Sequence, residues 1–448
     1  MMKIPRKFQN IKDHQSIMRY IKNTSWLLGE KILRITVGLF VGVWVARYLG
    51  PEQFGMFAYA QSLVGLFAII ATLGLDSIVV RELVRDESRR DELIGTTFWL
   101  KMMGAIGALI MIAISLGFTP IDDDVNLLVF IIALATIFHS FNVIDFYFQS
   151  KVLSKYVVRA NIISLFISSI VKILLILNEA PLVAFAWVIL FDSFVVVLGL
   201  IYFYRQNNQK MLLQIFKFNK KLALDLLKDG WPLIISGMTL IIYARIDQIM
   251  LFAMVDANEV GQYSVAVRLL EIFDFWAIIV VKSIAPSITN AKEISDAVFY
   301  HRLHALYKFM MISFLAFFIP ILIFGEQIVL LLYGEKYTIA ASLFVLAAFR
   351  TLFTNYGTAR TLFITNENLF KESMYFAIIG CVLNVLLNLL LIPIYHSQGA
   401  MIATIISLAI SIFILNSFFD RFRVNGNLMT NSLFNFYTLT ITDAKRSE

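Results

Sequence analysis

The sequence has little of what soluble proteins are built from. Only 15% of its residues are charged, whereas 59% are hydrophobic, and the mean hydropathy is +0.78. A soluble domain carries about a quarter charged residues. A single cysteine, Cys381, excludes an intrachain disulfide. Apolar runs long enough to cross a bilayer recur along the whole chain, so the sequence predicts an integral membrane protein.

The sequence also lacks the motifs of common enzyme classes. It contains no GxxxxGK[ST] phosphate loop, no HExxH pair, no Cys/His cluster and no nucleophile elbow. One acidic run, Asp122–Asp124, falls in a short predicted outer loop. It is either solvated or a metal site of the kind found in membrane glycosyltransferases. The longest predicted outer loop, 325–338, is too short for a catalytic domain, which favours a transporter over an enzyme.

Hydropathy predicts an all-α integral membrane protein with twelve transmembrane helices. Charged or turn-forming residues bound the apolar segments. We place the spans at 24–46, 54–77, 93–117, 125–148, 160–177, 181–204, 230–254, 260–284, 304–324, 339–360, 374–394 and 399–420.

The basic residues predict the orientation in the membrane. If the N-terminus is cytoplasmic, the segments on that side hold most of the Lys and Arg, whereas the opposite loops hold only Arg47 and Lys336. This positive-inside bias predicts that both termini are cytoplasmic. The net charge of +7 therefore reflects topology, with some attraction to anionic membrane lipid, and does not indicate a nucleic-acid partner.

The one long polar break, 205–229, divides the spans six and six. It predicts an N-terminal six-helix lobe at 1–213 with a basic cytoplasmic N-terminus, a C-terminal six-helix lobe at 214–420 and a cytoplasmic tail at 421–448. Within the break, apolar and basic residues alternate in KMLLQIFKFNKKLALDLLKDG. This pattern fits either an amphipathic helix on the inner membrane surface or a solvated linker.

A short motif occurs once in each half. LGPEQFGMFAYAQSL (49–63) begins as a turn and becomes an apolar helix, and VDANEVGQYSVAVRL (255–269) has a glycine, an aromatic residue, an alanine and a leucine at matching places. Gly50 and Pro51 predict the turn, and we expect Gly55 to let the helix pack closely on the first span. Both segments are first outer loops of their halves, so they predict a parallel repeat with its axis along the membrane normal.

Ionisable residues in the first span mark a candidate site, because charge at membrane depth is costly and usually faces a cavity or a partner. Glu30 and Arg34 are one helical turn apart and are expected to pair, with Lys31 also adjacent to Arg34. The alternative is a cluster that reaches the inner membrane surface. We predict that Lys31 and Arg34 bind an anion and that Glu30 binds a coupling ion or balances charge.

The second half carries more deep charge. Arg245 and Asp247 are two residues apart in span 7, so they point about 200° apart around the helix and face different surroundings. In span 8, Arg268 and Glu271 are expected to pair. The alternative is a structural network whose charges neutralise one another.

Spans 1, 7 and 8 each belong to a pair of equivalent spans in the two halves. We expect these three spans to line a cationic cleft between the lobes. Such a cleft suggests an anionic substrate, because arginine binds phosphate through two parallel hydrogen bonds and keeps its charge. In the second half the predicted substrate-binding cations are Arg245, Arg268, Lys282 and Arg350, and the predicted coupling-ion or charge-balancing acids are Asp247, Glu271 and Asp274. We predict no catalytic residue and no metal site.

Several segments resemble one protein family. LGPEQFGMFAYAQSL is similar to the LGxxxxGxY-like segment of polysaccharide flippases, which include the O-antigen (Wzx-type) flippases of the multidrug/oligosaccharidyl-lipid/polysaccharide (MOP) exporter superfamily. IDFYFQSKVLSKYV resembles the family's fourth-span end, with Ser150 where glycine is usual and Lys151 where the family is commonly apolar. ARIDQIML and VGQYSVAVRL match the second-half pattern, so the resemblance extends over essentially the whole chain.

The resemblance implies a V-shaped pair of six-helix lobes that works by alternating access. It implies movement of an undecaprenyl-pyrophosphate-linked oligosaccharide, such as an O-antigen repeat unit, from the inner to the outer leaflet of the bacterial inner membrane. The implied partners are this lipid-linked oligosaccharide, membrane lipid and other membrane proteins of polysaccharide assembly. No cofactor is expected beyond a coupling ion, H⁺ or Na⁺.

Three other functions remain open from the sequence. A lipid II flippase typically has two further spans. A cation-coupled drug exporter of the same superfamily favours an acidic cavity, whereas the site predicted here is net basic. A membrane polysaccharide polymerase or glycosyltransferase is a more distant alternative, since it would need a catalytic outer site.

Overall fold

The computed structural model describes residues 11–118, 122–207 and 217–436, and every regular element in these ranges is helical. Short 3₁₀ turns and one π-helical turn, Ile410–Ile414, join some of the helices. In chain order the α-helices are α1 (Ile11–Thr72), α2 (Asp76–Arg85), α3 (Arg90–Phe118), α4 (Asp123–Phe138), α5 (Val143–Ser150), α6 (Lys155–Leu177), α7 (Leu182–Asn207), α8 (Lys220–Met254), α9 (Ala257–Ile294), α10 (Asp296–Tyr333), α11 (Thr338–Ala348), α12 (Arg350–Asn366), α13 (Phe370–Ala409), α14 (Leu415–Phe418) and α15 (Asp420–Phe434).

Each predicted span falls on these helices. α1 contains the first span and most of the second and is broken at Gly50, and α13 is broken at His396, between the eleventh and twelfth spans. Within the described ranges, eight helical stretches are long and apolar enough to cross a membrane, or nine if Glu335–Ala348 and Arg350–Asn366 count as one bent span. The all-α multi-span fold is confirmed. The number twelve and the side of the termini stay predictions.

Large apolar side chains cover the outside of the helices. Phe40 is 65% exposed, Leu331 is 78% exposed and Leu390 is 65% exposed. A soluble protein avoids continuous apolar surface of this kind, whereas lipid tails are a favourable environment for it. The exposed surface therefore agrees with helices that face a bilayer.

The chain forms two compact units. The first contains the described residues up to Tyr48 and the residues Leu63–Met238, and the second contains Leu49–Ser62 and the described residues from Thr239 onward. α1 and α8 therefore each contribute residues to both units. The lobe boundary at 213 and 214 stays a prediction.

The core of the first unit joins α2, α3, α5, α6, α7 and the start of α8. Leu222, Ala223 and Leu226 are buried in it, so the described part of the predicted amphipathic segment forms the first packed turns of α8. Residues 210–216 of that segment lie outside the described residues. Lys101 on α3 is also buried, and its ammonium contacts Asp76 at 2.8 Å, so its charge is balanced inside this unit.

The core of the second unit joins α9, α10, α12, α13 and α15. α15 begins where the predicted cytoplasmic tail begins, and it folds back onto this core. Its Phe422 and Met429 are fully buried, and the Tyr307 hydroxyl donates to Asn425 Oδ1 at 2.6 Å. The first part of the segment predicted as a tail is thus packed helix. Residues 437–448 lie outside the described residues.

The two copies of the repeated motif cross within the second unit. Gly50 has φ 72°, which confirms the predicted turn. A Cβ on Gly55 would lie 1.7 Å from the Ala257 carbonyl oxygen, and a Cβ on Gly261 would lie 1.9 Å from the Pro51 carbonyl oxygen. The prediction that Gly55 packs on the first span is wrong. Its partner is the start of α9, because the two backbones approach too closely there for any side chain.

Substitution of either crossing glycine should destabilise the fold. We expect Gly55→Ala or Gly261→Ala to cost about 1–3 kcal/mol, since a methyl group must push two backbones apart. The measurement is the midpoint of SDS-induced unfolding of the purified protein. Gly65→Ala is the matched control, because a Cβ there meets nothing within 4 Å. Wild-type midpoints for both crossing variants would contradict the close contact.

Candidate functional site

A cavity in the second unit collects three of the predicted site residues. Its volume is about 110 Å³, which leaves room for several water molecules or one charged group. The walls come from residues 54–61 of α1 and from α8 and α9. The lining side chains are Arg245, Arg268 and Glu271, the polar Gln61, Gln248 and Ser264, and the apolar Phe54, Phe57, Ala58 and Val267.

The cavity is net basic. Arg245 is half-buried, whereas Arg268 and Glu271 are exposed towards it. The expected pair between Arg268 and Glu271 is wrong: no ion pair joins them within the described part of the chain. Two guanidinium groups and one carboxylate thus share the cavity wall, an arrangement that suits an anionic group.

α8 sends Arg245 and Asp247 into different surroundings, as their spacing predicted. Asp247 is only 4% exposed. Its Oδ2 accepts hydrogen bonds at 2.5 Å from the Tyr263 hydroxyl and at 2.5 Å from Thr404 Oγ1, and its Oδ1 accepts one at 2.6 Å from Asn388 Nδ2. These donors are all neutral. A buried carboxylate held only by neutral donors favours a proton or a cation beside it.

The surroundings of Asp247 offer further oxygen atoms. Asn388 Oδ1 is buried and has no hydrogen-bond partner among the described residues. Asn384 bridges the same groups, since its Nδ2 donates to Thr404 Oγ1 at 3.2 Å and its Oδ1 accepts from Asn388 Nδ2 at 3.4 Å. Carboxylate, amide and hydroxyl oxygens are the ligands of hard cations. We call Asp247, Asn384, Asn388 and Thr404 the Asp247 cluster.

Gln248, the residue after Asp247, ties the cavity walls together. Its amide oxygen accepts a hydrogen bond from Ser62 Oγ, and its amide nitrogen donates to Ser264 Oγ at 3.1 Å. Ser62 is fully buried at this contact. One side chain of α8 thus holds both α9 and the motif segment of α1.

Arg350 and Asp274 form an ion pair that the sequence did not predict. Arg350 Nη2 lies 2.5 Å from Asp274 Oδ2, and Thr354 Oγ1 donates to Asp274 Oδ1 at 2.8 Å. Each residue therefore has a protein partner for the charge that we expected it to offer to substrate or ion. Their roles in binding stay predictions.

The remaining predicted site residues lie away from the cavity wall. In the first unit, Arg34 Nε donates to Glu30 Oε1 at 2.8 Å, which confirms the predicted pair, and Lys31 is exposed. Lys282, on α9 in the second unit, is exposed as well. None of these four residues lines the cavity.

The acidic run at Asp122–Asp124 starts α4. Asp123 and Asp124 occupy the first turn of that helix, where negative charge is favourable next to the unpaired backbone N–H groups. Among the described residues, no group of three or more His, Cys, Asp or Glu is arranged to hold a metal ion.

Sequence reasoning missed the neutral members of the site. Gln61, Gln248 and Ser264 carry no charge and so gave no signal at membrane depth. Asn384 and Asn388 are one helical turn apart in an apolar span, and this amide pair is a signal that could have found the cluster.

Comparison with solved structures defines the class of fold. The chain matches a lipid II flippase, MurJ, in its inward closed conformation with a TM-score of 0.70 and 14% identity, over 92% of both chains. It matches the inward-facing conformation of a multidrug resistance MATE family transporter of the MOP superfamily with a TM-score of 0.69 and 17% identity, over 89% of this chain and 96% of that one. The protein therefore has the fold of MOP-superfamily transporters.

Sequence comparison then gives the family. The model of the family described as polysaccharide biosynthesis protein matches residues 20–292, so the chain belongs to that family. An uncharacterized membrane protein of Methanocaldococcus jannaschii is 23% identical over 86% of this chain and 81% of its own length. The chain is therefore a member of the polysaccharide biosynthesis protein family, and it has a multi-span helical fold that it shares with transporters of the MOP superfamily.

The Arg350–Asp274 pair should be measurable as a coupling energy. We expect Arg350→Gln and Asp274→Asn each to destabilise the protein, because either leaves a largely buried charge alone. In a double-mutant cycle on SDS unfolding the coupling should be about 0.5–3 kcal/mol. The exposed Arg423–Asp420 pair serves as control and should show a smaller coupling. Additive effects at Arg350 and Asp274 would contradict the pairing.

Proposed function

We propose that this protein is a flippase that moves an undecaprenyl-pyrophosphate-linked oligosaccharide, an O-antigen or related surface polysaccharide unit, from the inner to the outer leaflet by alternating access. The observation that carries the proposal is the cavity with Arg245 and Arg268 on its wall. A pyrophosphate has two phosphate groups, and each of the two guanidinium groups can form a pair of parallel hydrogen bonds to phosphate oxygens.

The neutral lining supports a sugar next to the phosphate. Phe54 and Phe57 present aromatic surface, and Gln61 presents an amide that can both donate and accept hydrogen bonds. Ligand sites typically combine apolar walls with a few placed polar groups. The volume of about 110 Å³ fits the charged end of such a cargo and not a whole oligosaccharide.

The net basic cavity does not favour a cation-coupled drug exporter, because such exporters favour an acidic cavity and this one has two arginines on its wall. A lipid II flippase remains the nearest alternative, because lipid II is also a lipid-linked pyrophosphate.

The proposed location is the bacterial inner membrane, with membrane lipid and other membrane proteins of polysaccharide assembly as partners. Flanking genes for glycosyltransferases and sugar-nucleotide enzymes would favour the polysaccharide assignment.

Neutralising either cavity arginine should block export. In cells that depend on this protein for surface polysaccharide, we expect Arg245→Gln and Arg268→Gln each to reduce the polysaccharide at least tenfold. The physical reason is the loss of a charge-assisted contact worth about 1.5–3 kcal/mol. Surface polysaccharide is quantified by labelling, and lipid-linked intermediate is extracted from the membrane and should accumulate.

Arg205→Gln is the control for this test. Arg205 is an exposed cation near the end of α7, and its loss changes the net charge by the same amount. Membrane levels of all three variants are measured by immunoblot. Normal surface polysaccharide in both cavity variants, with normal protein levels, would show that the arginines do not hold the cargo.

We further propose that the coupling ion, Na⁺ or H⁺, binds at the Asp247 cluster. The buried carboxylate has only neutral donors, and the unpartnered Asn388 Oδ1 is available beside it after a rotation of its amide. The other candidate acids are less suitable. Asp274 and Glu30 already have arginine partners, and Glu271 faces the open cavity.

Asp247→Asn should uncouple transport from the ion. The amide keeps the size of the side chain but removes the charge that attracts a cation or proton. We expect cargo movement in proteoliposomes to lose its response to an imposed Na⁺ or pH gradient. Asp225→Asn, at an exposed position on the same helix, should keep the wild-type response. A gradient response that survives in Asp247→Asn would exclude this carboxylate as the coupling site.

A further inference from the structure

Two neighbouring hydrogen bonds join α8 to α9. The Tyr263 hydroxyl donates to Asp247 Oδ2 at 2.5 Å, and Gln248 Nε2 donates to Ser264 Oγ at 3.1 Å. Asp247 and Gln248 are consecutive on α8, and Tyr263 and Ser264 are consecutive on α9. All four side chains are buried. The pair of bonds therefore fixes how far the two helices can slide or turn relative to each other.

These bonds lie between the Asp247 cluster and the basic cavity. On α8, Arg245 is two residues before Asp247, and on α9, Arg268 is one helical turn after Ser264. Both arginines face the cavity, one from each helix. Since each guanidinium is carried by one of the two joined helices, the separation of the arginines depends on how α8 and α9 are held together.

We propose that Tyr263 is a positioning residue that couples cation binding at Asp247 to anion binding between Arg245 and Arg268. This inference rests on the proposed function. A cation or proton at the Asp247 carboxylate withdraws the charge that makes the Tyr263 hydrogen bond short and strong. The hold of α8 on α9 then weakens at that position, and the two arginines move relative to each other.

The other donors to Asp247 do not have this connection. Thr404 and Asn388 both lie on α13, which does not contribute to the cavity wall. Among the described donors to Asp247, Tyr263 alone belongs to a helix that carries a cavity arginine. It is also the aromatic position of the repeated motif. The first copy has Phe57 there, without a hydroxyl, on the cavity wall.

Other charged or titratable groups near this contact belong to three elements. Tyr243 on α8 donates to the Thr404 carbonyl at 3.3 Å and lies within electrostatic range of Asp247. Cys381 on α13 lies within the same range of Asp247, and Arg350 on α12 lies within range of Tyr263. These groups are present unchanged in the variants below.

The test is a linkage measurement on the purified protein in detergent. The dissociation constant of undecaprenyl pyrophosphate is measured in choline chloride, in NaCl at the same ionic strength, and in Na⁺-free buffer at a lower pH. A change in NaCl shows coupling to Na⁺, and a change at the lower pH shows coupling to H⁺. In the wild type we expect at least a fivefold change in one arm, the lower end of typical coupling between sites.

Tyr263→Phe keeps the ring and removes the hydroxyl. We expect this variant still to bind the cation, seen as a cation-dependent rise in its melting temperature, and still to bind undecaprenyl pyrophosphate. The change that the cation causes in the dissociation constant of undecaprenyl pyrophosphate should fall below twofold. Tyr307→Phe is the matched control, because it also removes a buried tyrosine hydroxyl, the one that donates to Asn425 at 2.6 Å. It should keep the wild-type coupling.

Thr404→Val distinguishes the role of Tyr263 from that of the other donors in the Asp247 cluster. It removes the other donor to the same carboxylate oxygen, so it should change the cation concentration at which half of the protein has bound the cation. The coupling factor should stay at its wild-type value. Full coupling in Tyr263→Phe, or equal loss of coupling in Thr404→Val, would overturn the role of Tyr263 and leave the proposed function intact. A wild type that binds both ligands without coupling would also overturn it. A wild type that binds neither ligand would refute the proposed function itself.

Discussion

The second unit depends on one buried carboxylate. Asp247 of α8 receives hydrogen bonds from α9, through Tyr263, and from both halves of α13, through Asn388 and Thr404. Burying a carboxylate costs less free energy when its oxygens are hydrogen-bonded, so the position of Asp247 depends on these helices keeping their donors in place. This requirement joins three long helices at one point. The next residue, Gln248, extends the connection to the cavity wall.

The repeated motif has a physical reason in both copies. The first copy supplies Gly55 and the second supplies Gly261, and each glycine accepts the backbone of the other copy. The second copy also forms hydrogen bonds with other segments of the second unit. Gln262 Nε2 donates to the Lys336 carbonyl at 2.9 Å, and the Ser397 amide donates to the Glu259 carboxylate at 3.0 Å. The glycines are shared between the copies, whereas the polar contacts belong to the second copy.

Sequence reasoning recovered what local spacing determines. Apolar run lengths gave the helices, and the four-residue step gave the Glu30–Arg34 pair. Interactions between distant segments were not recoverable, because nothing local marks the partner. Asn388 is far from Asp247 in the chain, and Gly55 was assigned the wrong neighbour. Local spacing was wrong for Arg268 and Glu271, which are three residues apart but form no ion pair within the described part of the chain. The polar composition after residue 420 suggested a tail, but side chains such as Asn425 are satisfied by buried tyrosine hydroxyls in the folded unit.

We infer that a lipid-linked anion crosses the membrane through this protein. The direct measurement uses purified wild-type protein in liposomes that contain a fluorescent undecaprenyl-pyrophosphate disaccharide, with ethidium efflux measured in parallel. We expect the labelled lipid to become accessible to a membrane-impermeant quencher faster than in protein-free liposomes, whereas ethidium is not transported. Efflux of ethidium with no movement of the lipid would contradict it.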